Sequence, residues 1–288
     1  MNKRLLAGLL ISCIGVGASG SALADRLDDM ISPIANPLIF EDPRIISELR
    51  PAFAYHEVQK GFVTGGGDVQ LYALQARFAL TDRLALIATK DGYIDFNPEE
   101  ALTDETGWGN VAGGLKYAFY EDRECATIAT AGLRYEIPMG NTDVFQGNGD
   151  GSFNPFLSGA MALGPINLMS SSGFRFAVDS DDSSFFDFNL AASTQLFDIL
   201  YPTIDVNLVH VLDAGSRLPI ADEGFDLFNF GSSESEGITT VLGSAGARLR
   251  LASNIDWGVA YQFPLTQGEG SNLTKWRITT DLIYRFNI

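Results

Sequence analysis

The sequence predicts an all-β chain: a single antiparallel transmembrane β-barrel of about twelve strands, with short periplasmic turns and long extracellular loops. Three observations predict it. Apolar and polar side chains alternate with a period of two, tight turns alternate with long loops, and an apolar leader opens the chain. The alternation is plainest at the end. Trp276, Ile278, Thr280, Leu282, Tyr284, Phe286 and Ile288 share one parity, while Lys275, Arg277, Thr279, Asp281, Ile283, Arg285 and Asn287 share the other. Side chains alternate sides along a strand, so one face is greasy and the other mostly polar.

The leader gives the address. Lys3 and Arg4 precede an apolar run from Leu5 to Ala18, and Ala22-Leu23-Ala24 forms a small-x-small site before Asp25. This reads as a signal peptide over residues 1–24, exported by a Sec-type route and cleaved near Ala24. Its apolar run is too short to span a bilayer well. Leu10-Ile11-Ser12-Cys13 also resembles a lipoprotein box, the alternative in which Cys13 carries lipid.

Composition bounds the rest. The chain has 288 residues and a formal charge of −17, which grows more negative by two once Lys3 and Arg4 leave. So acidic a protein is a poor partner for nucleic acid. Cys125 is the one cysteine left after cleavage, which speaks against a zinc cluster. No stretch of the mature chain reaches 18 apolar residues, so no transmembrane helix is expected. The remaining length suits one all-β domain or barrel.

Residues 25–44 lack a strand period. Ile31, Pro33, Ile34, Pro37, Leu38, Ile39 and Phe40 are followed by Glu41-Asp42-Pro43-Arg44. They suggest a periplasmic lead-in or plug segment that tucks into a lumen or packs at its periplasmic end. A loose N-terminal tail is the competing expectation. The barrel proper is expected over 45–288. Its strands are placed at 45–59, 67–80, 84–96, 108–120, 125–138, 153–163, 166–178, 184–197, 202–213, 238–252, 255–265 and 275–288. Between them, residues 81–83, 121–124, 164–165, 198–201 and 253–254 are tight turns. Residues 60–66, 97–107, 139–152, 179–183, 214–237 and 266–274 are mostly longer and rich in Gly, Ser, Asn, Asp and Glu. Short turns on one rim, long loops on the other and an even strand number are the pattern of an outer-membrane barrel. Both termini then lie on the short-turn rim.

Parity within the strands agrees. Leu49, Phe53 and Tyr55; Tyr72, Leu74, Phe78 and Leu80; Leu84 and Leu86; Val111, Leu115, Tyr117 and Phe119; Phe186, Phe188, Leu190 and Leu196; and Ile255, Trp257, Val259, Tyr261 and Phe263 form apolar sets. Backbone groups in lipid must all be hydrogen-bonded, which strands achieve only in a closed barrel. A secreted β-sandwich would share the alternation but needs neither such long strands nor loops sorted by rim.

With apolar parity outward, the charges fall inside. Arg50, Arg77, Lys116, Arg134, Glu136, Arg175, Asp187, Asp205, Arg248, Arg250, Arg277, Asp281 and Arg285 are the lumen-lining candidates. A charge facing lipid at mid-membrane costs about 2–4 kcal/mol. These residues either line a passage that selects solutes by charge or form a mutually paired network filling a narrow lumen. The acidic loop residues Glu99, Glu100, Asp104, Glu105, Asp179, Asp181, Asp182, Asp222, Glu223, Asp226, Glu234 and Glu236 are expected on a solvated outer surface, the alternative being that they bind divalent cations near lipopolysaccharide or steer cationic solutes. Phe225, Leu227, Phe228 and Phe230 in the longest loop could form a greasy constriction or cap. Asn148-Gly149-Asp150-Gly151-Ser152 lacks the spacing and terminal Glu of a calcium loop and reads as a turn. Catalysis has thin support. His56 and His210 are the two histidines, neither lies in a His-x-Ser pattern, and no nucleophile elbow is present. No enzyme activity, cofactor or resident metal is expected.

One block carries a resemblance. Gly107-Trp108-Gly109-Asn110-Val111-Ala112-Gly113-Gly114-Leu115-Lys116-Tyr117, followed by Gly132-Leu133-Arg134-Tyr135-Glu136-Ile137-Pro138 and the aromatic terminal strand, resembles the MetA-pathway of phenol degradation family of proposed outer-membrane transporters. Asn110 stands where the family pattern has Asp. The resemblance spans residues 100–288 and implies an outer-membrane barrel passing hydrophobic or aromatic compounds. The functional expectation is therefore passive passage of small solutes through the bacterial outer membrane. The expected partners are membrane lipid and lipopolysaccharide, the barrel-assembly machinery through the C-terminal strand, and a small-molecule solute. The alternatives are a non-transporting structural or adhesion barrel with acidic loops and, further off, a lipid hydrolase using His210.

Overall fold

A computed structural model describes residues 26–268 and 271–287. The signal-peptide and lipoprotein-box readings therefore lie outside the described residues. A single helical turn, α1 (Arg26–Asp29), precedes the strands β1 (Glu48–Val58), β2 (Gly67–Ala79), β3 (Leu84–Lys90), β4 (Tyr93–Pro98), β5 (Glu105–Trp108), β6 (Val111–Asp122) and β7 (Thr127–Ile137). After a 3-10 turn at Thr142–Val144 come β8 (Ser152–Leu163), β9 (Ile166–Ala177), β10 (Ser184–Thr194), β11 (Leu200–Asp213), β12 (Thr239–Ala252), β13 (Ile255–Pro264) and β14 (Thr274–Arg285).

Every neighbouring pair is antiparallel, and β1 pairs with both β2 and β14, so the sheet closes on itself. The wall is twelve staves round, because β3 and β4 lie in line along one edge of β2, and β5 and β6 continue one another beside them. The break in the third stave is a β-bulge. Tyr72 faces Tyr93 while Ala76 faces Ala88, so one strand carries an extra residue over the same rise. Gly92 takes φ of +125° there, which a side chain would resist. Asp91 Oδ1 accepts the Leu74 N–H (2.9 Å) that the broken ladder leaves over, and Gly92 O accepts from Gly109 N at 2.8 Å.

Sequence parity becomes the two faces of this wall. On β13, Trp257, Val259, Tyr261 and Phe263 are exposed, while Asp256, Ala260 and Gln262 are buried. Tyr55, Trp276 and Tyr261 stack side by side across β1, β14 and β13 on the outer face, with ring centres 5.3 and 6.2 Å apart. Such rings suit a membrane interface, where one end is apolar and the other wet.

A barrel of this size encloses more space than its own side chains fill. Two pieces of chain occupy it. Residues 26–47 start at the short-turn rim, where Arg26 bonds Asn167 and Asp28 pairs with Arg123. They climb the lumen, turn at Asn36–Phe40 (Phe40 N to Asn36 O, 3.0 Å) and descend into β1. Met30, Ile34, Ala35, Phe40, Glu41, Asp42 and Arg44 are almost wholly buried on this path. From the other rim, the β11–β12 loop folds inward and buries Phe225, Leu227, Phe228 and Phe230 against Phe62, Val69, Phe96 and Phe185.

Two of the acidic loop residues expected on the outer surface lie instead in the interior. Glu223 is wholly buried and Asp226 nearly so. Glu223 accepts the backbone N–H groups of Gly224, Phe230 and Ser232 and the Ser183 hydroxyl, at 2.7–3.1 Å. A buried carboxylate is tolerated when donors surround it, and this one folds the loop around itself.

Candidate functional site

The lumen wall is built from the inward residues of each stave. Arg50, Arg77, Lys116, Arg134, Asp187, Asp205, Arg248, Arg277 and Asp281 are at most 4% exposed, and Glu136, Arg175, Arg250 and Arg285 are partly covered. Nine of these thirteen enter ion pairs, and Arg134, Arg175, Asp187 and Asp205 make none among the described residues. Asp281 on β14 accepts both Nη groups of Arg248 at 2.7 and 2.9 Å and Nε of Arg50 at 2.7 Å. Asp256 on β13 takes Arg250 at 3.1 Å and Arg285 at 2.5 Å. Glu136 takes Lys90 at 2.5 Å and the Asn110 amide at 2.8 Å. Asp205 is satisfied by the hydroxyls of Thr203 and Ser244. Burying charge in this way is tolerable because each pair replaces hydration with aligned donors.

The remaining wall cations hold the two inserted pieces. Glu41 accepts Nε and Nη2 of Arg77, both at 2.9 Å, and Lys116 Nζ at 2.9 Å. Burial alone would raise the Glu41 carboxyl, but these two cations overcome it and hold the group well below the usual carboxylate range. Backbone carbonyls supply the rest of the grip. Leu38 O accepts from Arg134, Pro43 O from Thr130, Pro37 O from Gln75 and Ala35 O from Thr279. Within the segment, Asp42 pairs with Arg44 at 2.6 Å.

The inserted loop is tied at its tip. Asp226 accepts Nη1 and Nη2 of Arg277 at 2.5 and 3.1 Å, and the same Arg277 donates Nε to His56 Nδ1 at 2.9 Å. Asp226 also accepts the Asn36 amide at 2.9 Å, so the loop tip meets the apex of the N-terminal segment. Arg175 donates to Phe225 O at 2.7 Å. Five cavities among the described residues are each about 30 Å³ or less, room for a water or two. One of them, under the loop beside the wall break, is bounded by Leu38, Val69, Leu71, Ile94, Leu227 and Phe228, with Asp91 and Gly109 at its wall side.

The histidines are apart. His56 is buried inside, whereas His210 lies on the outward parity of β11, with Nδ1 2.7 Å from Thr239 Oγ1. Among the described residues no His, Cys, Asp and Glu cluster forms a metal site. The partners Glu41, Asp226, Asn36 and Lys90 were outside the lumen candidates. The first three lie in segments without strand parity, and only the run Glu41-Asp42-Pro43-Arg44 hinted at them.

Comparison with known proteins adds the fold. No protein-family model matches this chain, and no curated protein matches it. Solved structures do. An outer-membrane channel from Pseudomonas putida F1 matches with a TM-score of 0.57 and 15% identity, over 86% of this chain and 98% of that one. The NanC porin matches with a TM-score of 0.51 and 8% identity, over 84% of this chain and all of that one. The β domain of the Bordetella autotransporter BrkA matches with a TM-score of 0.51 and 12% identity, over 84% of this chain and all of that one. The fold is that of outer-membrane β-barrels.

Proposed function

We propose that this chain is a bacterial outer-membrane channel for passive passage of small organic solutes, held closed by its own N-terminal segment and its β11–β12 loop. Export by a cleaved leader, and insertion through the barrel-assembly machinery at the C-terminal strand, belong to the same reading. The observation that carries it is the nature of the blockage. Both obstructions are held to the wall by side-chain ion pairs, hydrogen bonds and apolar packing, not by strand pairing, so they can leave without opening the sheet. The P. putida structure, an outer-membrane channel of the same fold, supports it.

Solutes with apolar bodies suit this site best. The space under the loop is walled mainly by Leu38, Val69, Leu71, Ile94, Leu227 and Phe228, with Lys90, Asp91 and Gln146 at its edge. The glycine-rich block from Gly107 to Tyr117 resembles the phenol-degradation family, which favours hydrophobic or aromatic compounds. Nothing in the sequence couples flux to an energy source, so transport follows the solute gradient. Liposome swelling and planar-bilayer recording on the refolded full chain test this. Small aromatic solutes should enter faster once the inserted pieces are loosened, as in Glu41→Gln/Asp226→Asn, than through the closed parent chain. Neither solute flux nor current, even after the segment is loosened, would leave the rival reading of a closed structural barrel.

A further inference from the structure

Arg134 and Arg175 differ from the other lumen-lining cations in making no ion pair among the described residues, although Arg250 also stacks on a ring, Tyr201 at 4.9 Å, and Arg248 and Arg285 also keep an unpartnered Nε. Both unpaired arginines lie over a phenylalanine ring, Arg134 over Phe156 at 4.4 Å and Arg175 over Phe185 at 4.3 Å. Ring stacking fixes the plane of a guanidinium and leaves its edge free to donate. One Nη of each binds a carbonyl of an inserted piece, Leu38 O or Phe225 O. Arg134 Nε and Arg175 Nε and Nη2 are buried with no hydrogen-bond partner among the described residues. Arg134 itself is 4% exposed. Both line one cavity, together with Thr89, Lys90 and Ser152.

Nearby carboxylates do not absorb these donors. Glu136 is taken by Lys90 and Asn110, and Asp226 by Arg277 and Asn36. Asp187 lies near enough for its charge to act on both arginines, but it is bonded to Asn189 at 3.3 Å, makes no ion pair within 4 Å with either arginine, and keeps Oδ2 unpartnered. Buried guanidinium N–H groups left without acceptors are costly. The free Arg175 fork, Nε and Nη2, and the single free Nε of Arg134 border one cavity that Glu136 and Asp226 also line, and together they supply the donors a carboxylate needs. The adjoining cavity shares Lys90, Glu136, Arg175 and Asp226 with this one and adds Phe145, Phe185 and Phe228.

We infer that Arg134 and Arg175 form a subsite for the carboxylate of a small organic acid whose apolar body lies toward Phe145 and Phe228. The inference rests on the channel reading for its meaning in transport, but binding can be measured apart from flux. At about 30 Å³ the present space takes the head group alone, so the body enters as the loop phenylalanines shift.

Calorimetric titration of the refolded full chain with benzoate, and with benzyl alcohol as the uncharged control bearing the same ring, tests the subsite. Saturable benzoate binding at one site, at least tenfold tighter than benzyl alcohol, is expected. Arg175→Gln should weaken benzoate at least fivefold and leave benzyl alcohol unchanged. Arg175→Lys, which keeps charge but loses the fork, should fall between them. Arg134→Lys, checked for folding by its gel shift before boiling, should weaken benzoate alone. Equal affinities for the two probes, displacement of benzoate by chloride at equal concentration, or full benzoate affinity in Arg175→Gln would overturn the inference. Proteoliposome uptake separates the two readings. Benzyl alcohol flux without saturable benzoate binding removes the subsite alone, whereas specific binding without any flux removes the channel and leaves the subsite standing.

Discussion

Glu41 and Arg77 meet fork to fork, with Nε and Nη2 of the guanidinium each 2.9 Å from a different oxygen of the carboxylate. One partner belongs to the inserted N-terminal segment and the other to the second stave of the wall. Glu41→Gln removes the charge from this contact and from Lys116. Removing one partner of a buried pair costs about 3–5 kcal/mol, and the loss here should be about 3 kcal/mol, near the low end of that range. Arg77 keeps Glu48 at 3.0 Å, which softens the effect. Denaturant unfolding in vesicles checks the size, and limited proteolysis of residues 26–47 from the short-turn side checks that the segment is what loosens.

Asp182, in the β9–β10 loop, gives the outer closure a pH dependence. Burial is the main cause that pushes its carboxyl up to about 6, Arg217 opposes the rise, and Asp179, Glu136 and Glu223 reinforce it. Arg217 Nη2 lies 2.9 Å from Asp182 Oδ1, so the pair offsets only part of the burial. A carboxyl raised from its ordinary 3.8 favours the folded loop when protonated. That stability is fully present below the ordinary value and is lost as pH rises through about 6. Hydrogen exchange in residues 214–238 should therefore be slower at pH 5 than at pH 7.5. Asp182→Asn should abolish the difference and resemble the acid state; an unchanged pH dependence in that variant would refute the assignment.

Phe228 packs edge-on to Phe96 and Phe145 and stacks on Phe230, with ring centres 5.5–6.0 Å apart. Truncating a buried phenylalanine costs about 3–5 kcal/mol, less where the surroundings collapse. Phe228→Ala should raise protease sensitivity in the β11–β12 loop and leave the gel mobility of the unboiled barrel unchanged. Loss of the folded band would mean that the loop supports the wall itself.

Gly114 tests the wall. A Cβ there would lie 2.0 Å from Leu133 O, a backbone atom of the neighbouring stave that cannot yield. Gly114→Val should abolish the heat-modifiable folded band on a gel, while Gly164→Ala, at a turn with open space around it but a left-handed φ of +54°, should cost only about 1–2 kcal/mol and retain it.

Much of this was legible in the sequence, and the physical reason is periodicity. Lipid outside and charge inside impose a two-residue repeat on every stave, so Trp257, Val259 and Tyr261 reveal one face and Arg248 and Asp281 the other. The expected third strand, 84–96, runs through the bulge at Asp91-Gly92 because one extra residue shifts parity without ending the stave. The inserted pieces follow no such repeat. Glu223 looks like a surface acid by composition and Glu41 lies in a segment without strand parity, and the partners that closure brings together, Arg77 and Lys116 for Glu41, Ser183 and three backbone N–H groups for Glu223, account for their burial. Arg134 and Arg175 share the lumen parity of the other arginines, and their stacking on Phe156 and Phe185 depends on neighbouring staves.

The most direct test of the closed-channel account is planar-bilayer conductance of the full chain against Glu41→Gln/Asp226→Asn, which weakens the ties of both inserted pieces to the wall. Folding of each is verified by the unboiled gel band. Low conductance in the parent chain and a severalfold increase in the double variant are predicted. Equal conductance in the two folded proteins would contradict the account, because the segment and the loop would then not be what closes the lumen.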